Sequence, residues 1–380
     1  MSPFIQRTDQ IITPTLLLDE EQARRNIAAM ARRAAEQGVI FRPHFKTHQA
    51  AAVGEWFRDY DVTAITVSSV SMARYFAQSG WRDITIAFPV NLRELAEIDA
   101  LAAEVRLGLL LDASAVADRL AAELTHPVDV WIEIDTEYRR SGALWSDKEW
   151  LADVAVRCEA APQLSLRGVL CHAGNTYGAR SLDAVRQIHA TTMARMTAAR
   201  AATAAATRRD DLQISIGDTP ACALLDDLGS VDEMRPGNFV FYDLVQEQIG
   251  ACRMGEIAVA VACPVVGVYP RRRELALYGG AVHLSKDALT LDSGQPSFGC
   301  IAPLTESGWG EPFPGAYLRS VSQEHGVVSV AEEAWPGVCA SLAVGDLVAV
   351  LPVHSCLTAN LLKRYLTLGG QNIEMAAIPR

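Results

Sequence analysis

Over the first 245 positions, short apolar, β-rich runs alternate with stretches in which apolar residues return at helical spacing. The runs fall at Val39–Phe45, Ala64–Ser68, Ile84–Phe88, Val105–Leu111, Val128–Ile134, Leu166–Cys171, Leu212–Ile216 and Asn238–Phe241. Between most of them lie Ala-, Arg- and Glu-rich segments, among them Glu21–Gln37, Leu92–Glu104, Ala113–Leu124 and Ala184–Arg208. A short strand at Thr15–Leu18 comes first. Eightfold alternation of strand and helix predicts an α/β fold, a (β/α)8 TIM barrel. The alternative, a doubly wound open sheet, has no G-x-G-x-x-G after an early strand to support it. From Glu256 onward the pattern changes. Strand-like runs at Ala258–Val268, Glu274–Leu277, Val327–Val330 and Leu347–Leu351 are separated by Gly-, Pro- and Ser-rich stretches, and helical spacing returns only at Leu357–Tyr365. The expected division is a barrel over residues 20–245 and a C-terminal β-rich domain from 246–380, to which 1–19 belongs.

Composition narrows the function classes. The net charge of −11 lacks the basic footprint of a nucleic-acid or membrane-surface binder, although a local Arg cluster could still receive an anionic substrate. No apolar run approaches the roughly 20 residues needed to span a bilayer. Met1–Gln10 is polar, with no apolar signal core. The cysteines at 158, 171, 222, 252, 263, 300, 339 and 356 show no C-x-x-C spacing and read as thiols of a reduced compartment. A cytoplasmic protein with neither nucleic-acid nor membrane partners is expected.

Barrel enzymes carry their reacting groups at the C-terminal ends of the strands. The first barrel run ends in Arg42-Pro43-His44-Phe45-Lys46-Thr47-His48, four potentially cationic groups within seven residues. A lysine crowded by cations is expected to have a lowered pKa, as an amine nucleophile needs. A solvated basic turn is the plainer explanation of the same spacing. Near the C-terminus, His354 and Cys356 stand two apart at the end of an apolar run. On a strand they would share one face, as half a site for a borderline-soft divalent cation. Arg271-Arg272-Arg273 reads as a solvated charge run.

The Arg42–His48 segment resembles the lysine motif of the D-serine dehydratase and D-threonine aldolase-like family. These are fold type III, alanine-racemase-like pyridoxal-phosphate enzymes. The likeness recurs in order over about 340 residues. It includes Thr13-Pro14-Thr15, Arg140-Ser141-Gly142, His172-Ala173-Gly174-Asn175-Thr176-Tyr177 and Gly217-Asp218-Thr219-Pro220. It continues through Glu233-Met234-Arg235-Pro236-Gly237-Asn238 and Tyr242-Asp243 to Glu324-His325-Gly326 and Pro352-Val353-His354-Ser355-Cys356.

The resemblance implies roles residue by residue. Lys46 is the Schiff-base lysine and the catalytic base. Arg140 lies near the pyridine ring, and Tyr177, Thr219, Gly237 and Asn238 contact the phosphate or the ring. The Asp218 carboxylate, which would repel a phosphate, is expected to point away. Outside those implied roles, His44 and His48 flank the lysine and are candidates for tuning it or holding the cofactor's phenolic oxygen, His172 reads as support for a strand end, and His325 is a candidate for orienting the metal or the substrate carboxylate. His354 and Cys356 hold a divalent cation (Zn, Mn, Co or Mg), where the aldolase branch carries a carboxylate in place of the thiol. The implied activity is that of a carbon–oxygen lyase, a dehydratase of D-3-hydroxy amino acids working as a homodimer. D-threo-3-hydroxyaspartate, giving oxaloacetate and ammonia, is the favoured substrate. D-serine dehydration, aldolase-type cleavage and non-catalytic pyridoxal-phosphate carriage are the alternatives.

Overall fold

The structure is a computed structural model that describes residues 4–377. Part of the polar Met1–Gln10 segment and the last residues of the expected C-terminal domain lie outside the described residues. The chain divides into two compact units. One comprises Ala28–Gly237 with the residues from Ala376, and the other comprises Asn238–Met375 with the residues up to Ile27.

In the first unit, Ile40–Phe41, Ala64–Val67, Asp83–Pro89, Arg106–Leu111, Val128–Asp135, Leu164–Leu170, Gln213–Ile216 and Glu233–Met234 pair as parallel neighbours. Glu233–Met234 also pairs with Ile40–Phe41, and a bridge between His44 and Thr66 closes the ring. This is the TIM-type barrel that the alternation implies. Its strands are apolar nearly throughout because helices cover a parallel sheet on the outside while side chains fill the inside. All of Arg106–Leu111 except Arg106 is buried.

Two details of the barrel depart from the sequence reading. The eighth strand is Glu233–Met234, whereas Asn238–Val240 forms a 3-10 turn in which the Asn238 carbonyl accepts from the Phe241 and Tyr242 N–H groups. Pro236 offers no N–H to a ladder, so the strand ends before it. The apolar run that follows is buried, and burial alone does not separate a strand from a turn in a short segment. The first strand is also shorter than Val39–Phe45. Beyond Phe41 it is held by separate bonds on both sides: Arg42 N–H to Met234 O at 3.0 Å, His44 N–H to Pro236 O at 2.9 Å, and Phe45 N–H to Thr66 O at 2.8 Å. The segment leading to Lys46 is therefore pinned between two strands. A helix at Lys148–Ala160, with Asp147 accepting from Trp150 N–H at its start, went unread in the sequence.

The second unit is built on an antiparallel sheet. Glu274–Tyr278, His325–Val330, Ala316–Val321, Gly299–Thr305, Leu347–Pro352 and Val259–Tyr269 follow one another in space, and Val259–Tyr269 pairs back onto Glu274–Tyr278. Six strands thus close on themselves. Thr15–Leu18 adds antiparallel to Val259–Tyr269 and parallel to Arg364–Thr367. Gly299–Thr305 and Ala316–Val321 were not recognised as strands because Pro303, Gly299 and the neighbouring Gly-Pro segments read as loop. Among the described residues, no helix is long and apolar enough to cross a membrane.

Candidate active site

Phe45 and His48 are wholly buried, and their rings lie 4.4 Å apart in a nest with Phe57, Phe76 and Trp81. Between these anchors Lys46 is half-buried at the C-terminal end of the first barrel strand. The cations of its own motif are not its electrostatic company. Arg42 is buried in ion pairs with Glu233 at 2.6 Å and with Asp83. Burial holds His48 down to about 3 against a weaker upward pull from the Ala50 backbone, so the imidazole is neutral. His44 is pushed well below 6.5 by burial and then by Lys46, Arg235, His172 and Arg140. His172 is pushed down to about 3 by burial, then by Lys46 and Arg140, although its Nδ1 lies 2.8 Å from Gly217 O. The same imidazoles thus feel three cations together: Lys46, Arg140 and Arg235. The expectation of four cations within one motif gives way to one lysine with two arginines from other strands. His44 is held neutral beside the lysine, and His48 faces the aromatic nest.

Arg140 is half-exposed, 3.8 Å from Glu133, whose pKa is raised by burial. Arg235 is buried, donating from Nε to Ser215 Oγ at 2.7 Å and from a terminal nitrogen to Cys171 O at 2.8 Å. It lines the strand ends beside Gly217, where an added Cβ would come within 3.0 Å of the guanidinium. Arg235 stands in the Glu233–Asn238 motif with no role implied by the resemblance; its burial is what sets it apart.

Tyr177 and Thr219 come together. The Thr219 N–H donates to the Tyr177 hydroxyl at 3.4 Å, and the buried Thr219 Oγ1 has no hydrogen-bond partner among the described residues. A buried hydroxyl left unsatisfied is costly. A phosphate accepting from Thr219 Oγ1 beside the Tyr177 hydroxyl, under the positive potential of Arg140 and Arg235, would remove that cost, so the residues present fit the cofactor. Asp218 is turned inward, accepting from Thr176 Oγ1 and Ala221 N–H at 2.9 Å each. Gly237 has a packing reason of its own, since a Cβ there would meet His44 O at 2.8 Å. The Asn238 amide nitrogen is engaged, while its buried Oδ1 has no hydrogen-bond partner among the described residues. Its Nδ2 donates to Asp243 at 2.6 Å and to Ser355 Oγ at 3.1 Å, and lies 3.6 Å from Cys356 Sγ.

His354 and Cys356 do not share a strand face. The strand ends at Pro352, His354 caps the helix Ser355–Leu362, and Cys356 sits in its first turn. The two side chains still meet, because the thiol is hydrogen-bonded to the imidazole. Burial pushes His354 down, but Asp287, Cys356 and Asp243 together hold it up at about 11. Asp243, buried, accepts from Ser355 N–H at 3.0 Å and so fixes the turn. An imidazole and a thiol in contact, in surroundings that favour positive charge, fit a borderline-soft cation. Among the described residues no three His, Cys, Asp or Glu side chains converge on a metal position, so the pair would supply two ligands and leave the rest of the sphere open. Asp243 and Ser355 lie within motifs of the family resemblance that implied no role for them, and Asp287 carried no signal in the sequence. His325 lies exposed on a strand of the same unit.

The alanine racemase N-terminal domain profile matches residues 18–244, and the serine dehydratase domain profile matches 258–368. The chain belongs to the D-serine dehydratase-like family. It is a lyase with an alanine-racemase-type barrel, the fold class of pyridoxal-phosphate enzymes. D-threo-3-hydroxyaspartate dehydratase of Delftia sp. (strain HT23) is 31% identical over 354 residues, 91% of each chain. D-serine dehydratase of Dictyostelium discoideum is 28% identical over 384 residues, 95% of this chain and 94% of its own. Among solved structures, a cysteine-to-alanine mutant of D-threo-3-hydroxyaspartate dehydratase in the metal-free form superposes with a TM-score of 0.89 at 29% identity, over 99% of both chains. A histidine-to-alanine mutant, altered two positions earlier in that enzyme, gives 0.87 at 29% identity over 99% of this chain and 96% of its own.

Proposed function

We propose that this lyase is a pyridoxal-phosphate- and divalent-metal-dependent dehydratase that takes D-threo-3-hydroxyaspartate to oxaloacetate and ammonia. The observation that carries the reading is the contact of His354 with Cys356 on one helix-opening turn. The family's solved dehydratase has been studied through a histidine and a cysteine of the same spacing, and its cysteine mutant is described as metal-free.

Lys46 would hold the cofactor, Tyr177 and Thr219 its phosphate, and Arg140 would lie by its ring. When bound, pyridoxal phosphate supplies an electron sink for the charge left at the substrate's α-carbon. Lys46 Nζ takes the α-proton. The neutral His44 and His172 add no positive charge beside Lys46. A divalent ion on His354 and Cys356 would act as a Lewis acid toward the 3-hydroxyl, since hydroxide departs poorly unaided. A single lysine serves one cofactor face, so D-configured substrates should react far faster than L-configured ones. The protein is proposed to act as a cytoplasmic homodimer.

D-serine, giving pyruvate, is the second reading, supported by the Dictyostelium relative. Cys356 speaks against the aldolase alternative, in which the family has a carboxylate. The test is a panel of D- and L-3-hydroxy amino acids assayed for 2-oxo acid, with and without chelator. Fastest turnover of D-threo-3-hydroxyaspartate, stopped by chelation and restored by a divalent cation, is the expected result. Full activity in chelator-stripped protein, or glycine plus an aldehyde as products, would refute the reading.

A further inference from the structure

Asp287 stands 67 positions before His354, yet its Oδ2 lies 2.7 Å from His354 Nδ1. The loop that delivers it is built under constraint. It leaves the short helix Ala281–Leu284 through Ser285, a buried residue whose φ of 71° and ψ of −178° belong to a region that glycine normally occupies. Ser285 Oγ accepts the Asp287 N–H at 3.1 Å. The preceding carbonyl, of Leu284, accepts from Thr358 Oγ1 at 3.3 Å. Thr358 lies one turn into the helix that opens at His354. One helix therefore presents the imidazole at its start and also ties down the loop bearing the carboxylate.

Once a metal ion displaces the second ring proton, an imidazole that donates from Nδ1 offers its lone pair on Nε2. The carboxylate also raises the basicity of that nitrogen, which makes it a better ligand. A bare surface pair with doubly protonated His354 would need neither the strained Ser285 nor the tie from Thr358. We propose that Asp287 is the positioning residue of the metal site, fixing His354 as an Nε2 ligand beside Cys356. The inference rests on the reading of His354 and Cys356 as metal ligands.

Cofactor-loaded protein stripped with chelator should be titrated with Co(II), reading the visible ligand-field bands and the affinity against a competing chelator. Asp287→Ala should weaken Co(II) binding by about 10- to 100-fold. Asp287→Asn, whose side-chain carbonyl still accepts from Nδ1, should recover most of that loss. Wild-type affinity and spectrum in Asp287→Ala would overturn the inference, and so would equal losses in the Ala and Asn variants. His354→Ala and Cys356→Ala report separately on the ligand assignment. If both bind Co(II) as the wild type does, the metal lies elsewhere and the underlying reading falls.

Discussion

His48 offers a thermodynamic test of how the lysine motif is packed. The imidazole is wholly buried among Phe45, Phe57 and Phe76, and burial holds its pKa at about 3 against 6.5 when exposed. A depressed folded-state pKa means that the unfolded chain binds a proton the folded chain refuses. The stabilisation is present above pH 6.5 and is lost as the pH falls from there toward 3. Integrating the difference in bound protons from pH 7.5 to 5.5 gives a loss of about 1.4 kcal/mol for this one group. His48→Asn removes the titration while leaving an oxygen near the position of Nδ1, which accepts the Ala50 N–H at 3.2 Å. Urea unfolding of both proteins at the two pH values isolates the effect as a difference of differences, in which other histidines cancel. The wild type should lose about 1.4 kcal/mol more than the variant. Equal losses would mean that His48 titrates as an exposed imidazole. The aromatic nest that anchors the segment beside Lys46 would then be open to water.

Lys46→Ala should abolish turnover with the fold retained, and borohydride should no longer fix the cofactor to the chain; a label found on another lysine in the reduced wild type would reassign the residue. Gly237→Ala places a Cβ 2.8 Å from His44 O, so thermal unfolding should report a loss of about 1–3 kcal/mol together with lower cofactor occupancy. Thr219→Val removes a buried hydroxyl that has no partner among the described residues. Without cofactor its stability should match or exceed the wild type, while affinity for pyridoxal phosphate drops about tenfold or more, the worth of a hydrogen bond to a charged group. A stability loss at unchanged affinity would place the phosphate elsewhere.

The barrel could be read from the sequence because helix and strand periods differ and eight repeats leave little ambiguity. Where the reading slipped, two physical states share one pattern. Asn238–Phe241 is apolar because it is buried, and a 3-10 turn buries residues as well as a strand does. His354 and Cys356 meet as expected, but through a helix cap, since spacing of two does not fix the backbone that carries it. The second arginine beside Lys46 was present in Arg235-Pro236-Gly237 all along. Only the fold reveals that Arg42 is spent on Glu233 while Arg235 is turned toward the strand ends. Asp287 could not have been found, since nothing local links a carboxylate to an imidazole 67 residues away.

The strand Thr15–Leu18 has a consequence for how the protein is made. Its partners are Val259–Ala262 and Tyr365–Thr367. A ribosome adding about 5–20 residues per second reaches Val259 roughly 12–50 s after Leu18. Every strand of the parallel barrel has been synthesised by then, while four of the earliest ordered residues still wait for a sheet that does not exist. An exposed apolar Leu16-Leu17-Leu18 edge is a hazard in that interval. Chains released early, or stalled before Val259, would carry it unpaired. A nascent-chain pulse with a protease probe should find the N-terminal segment cleavable until the last third of the chain has emerged.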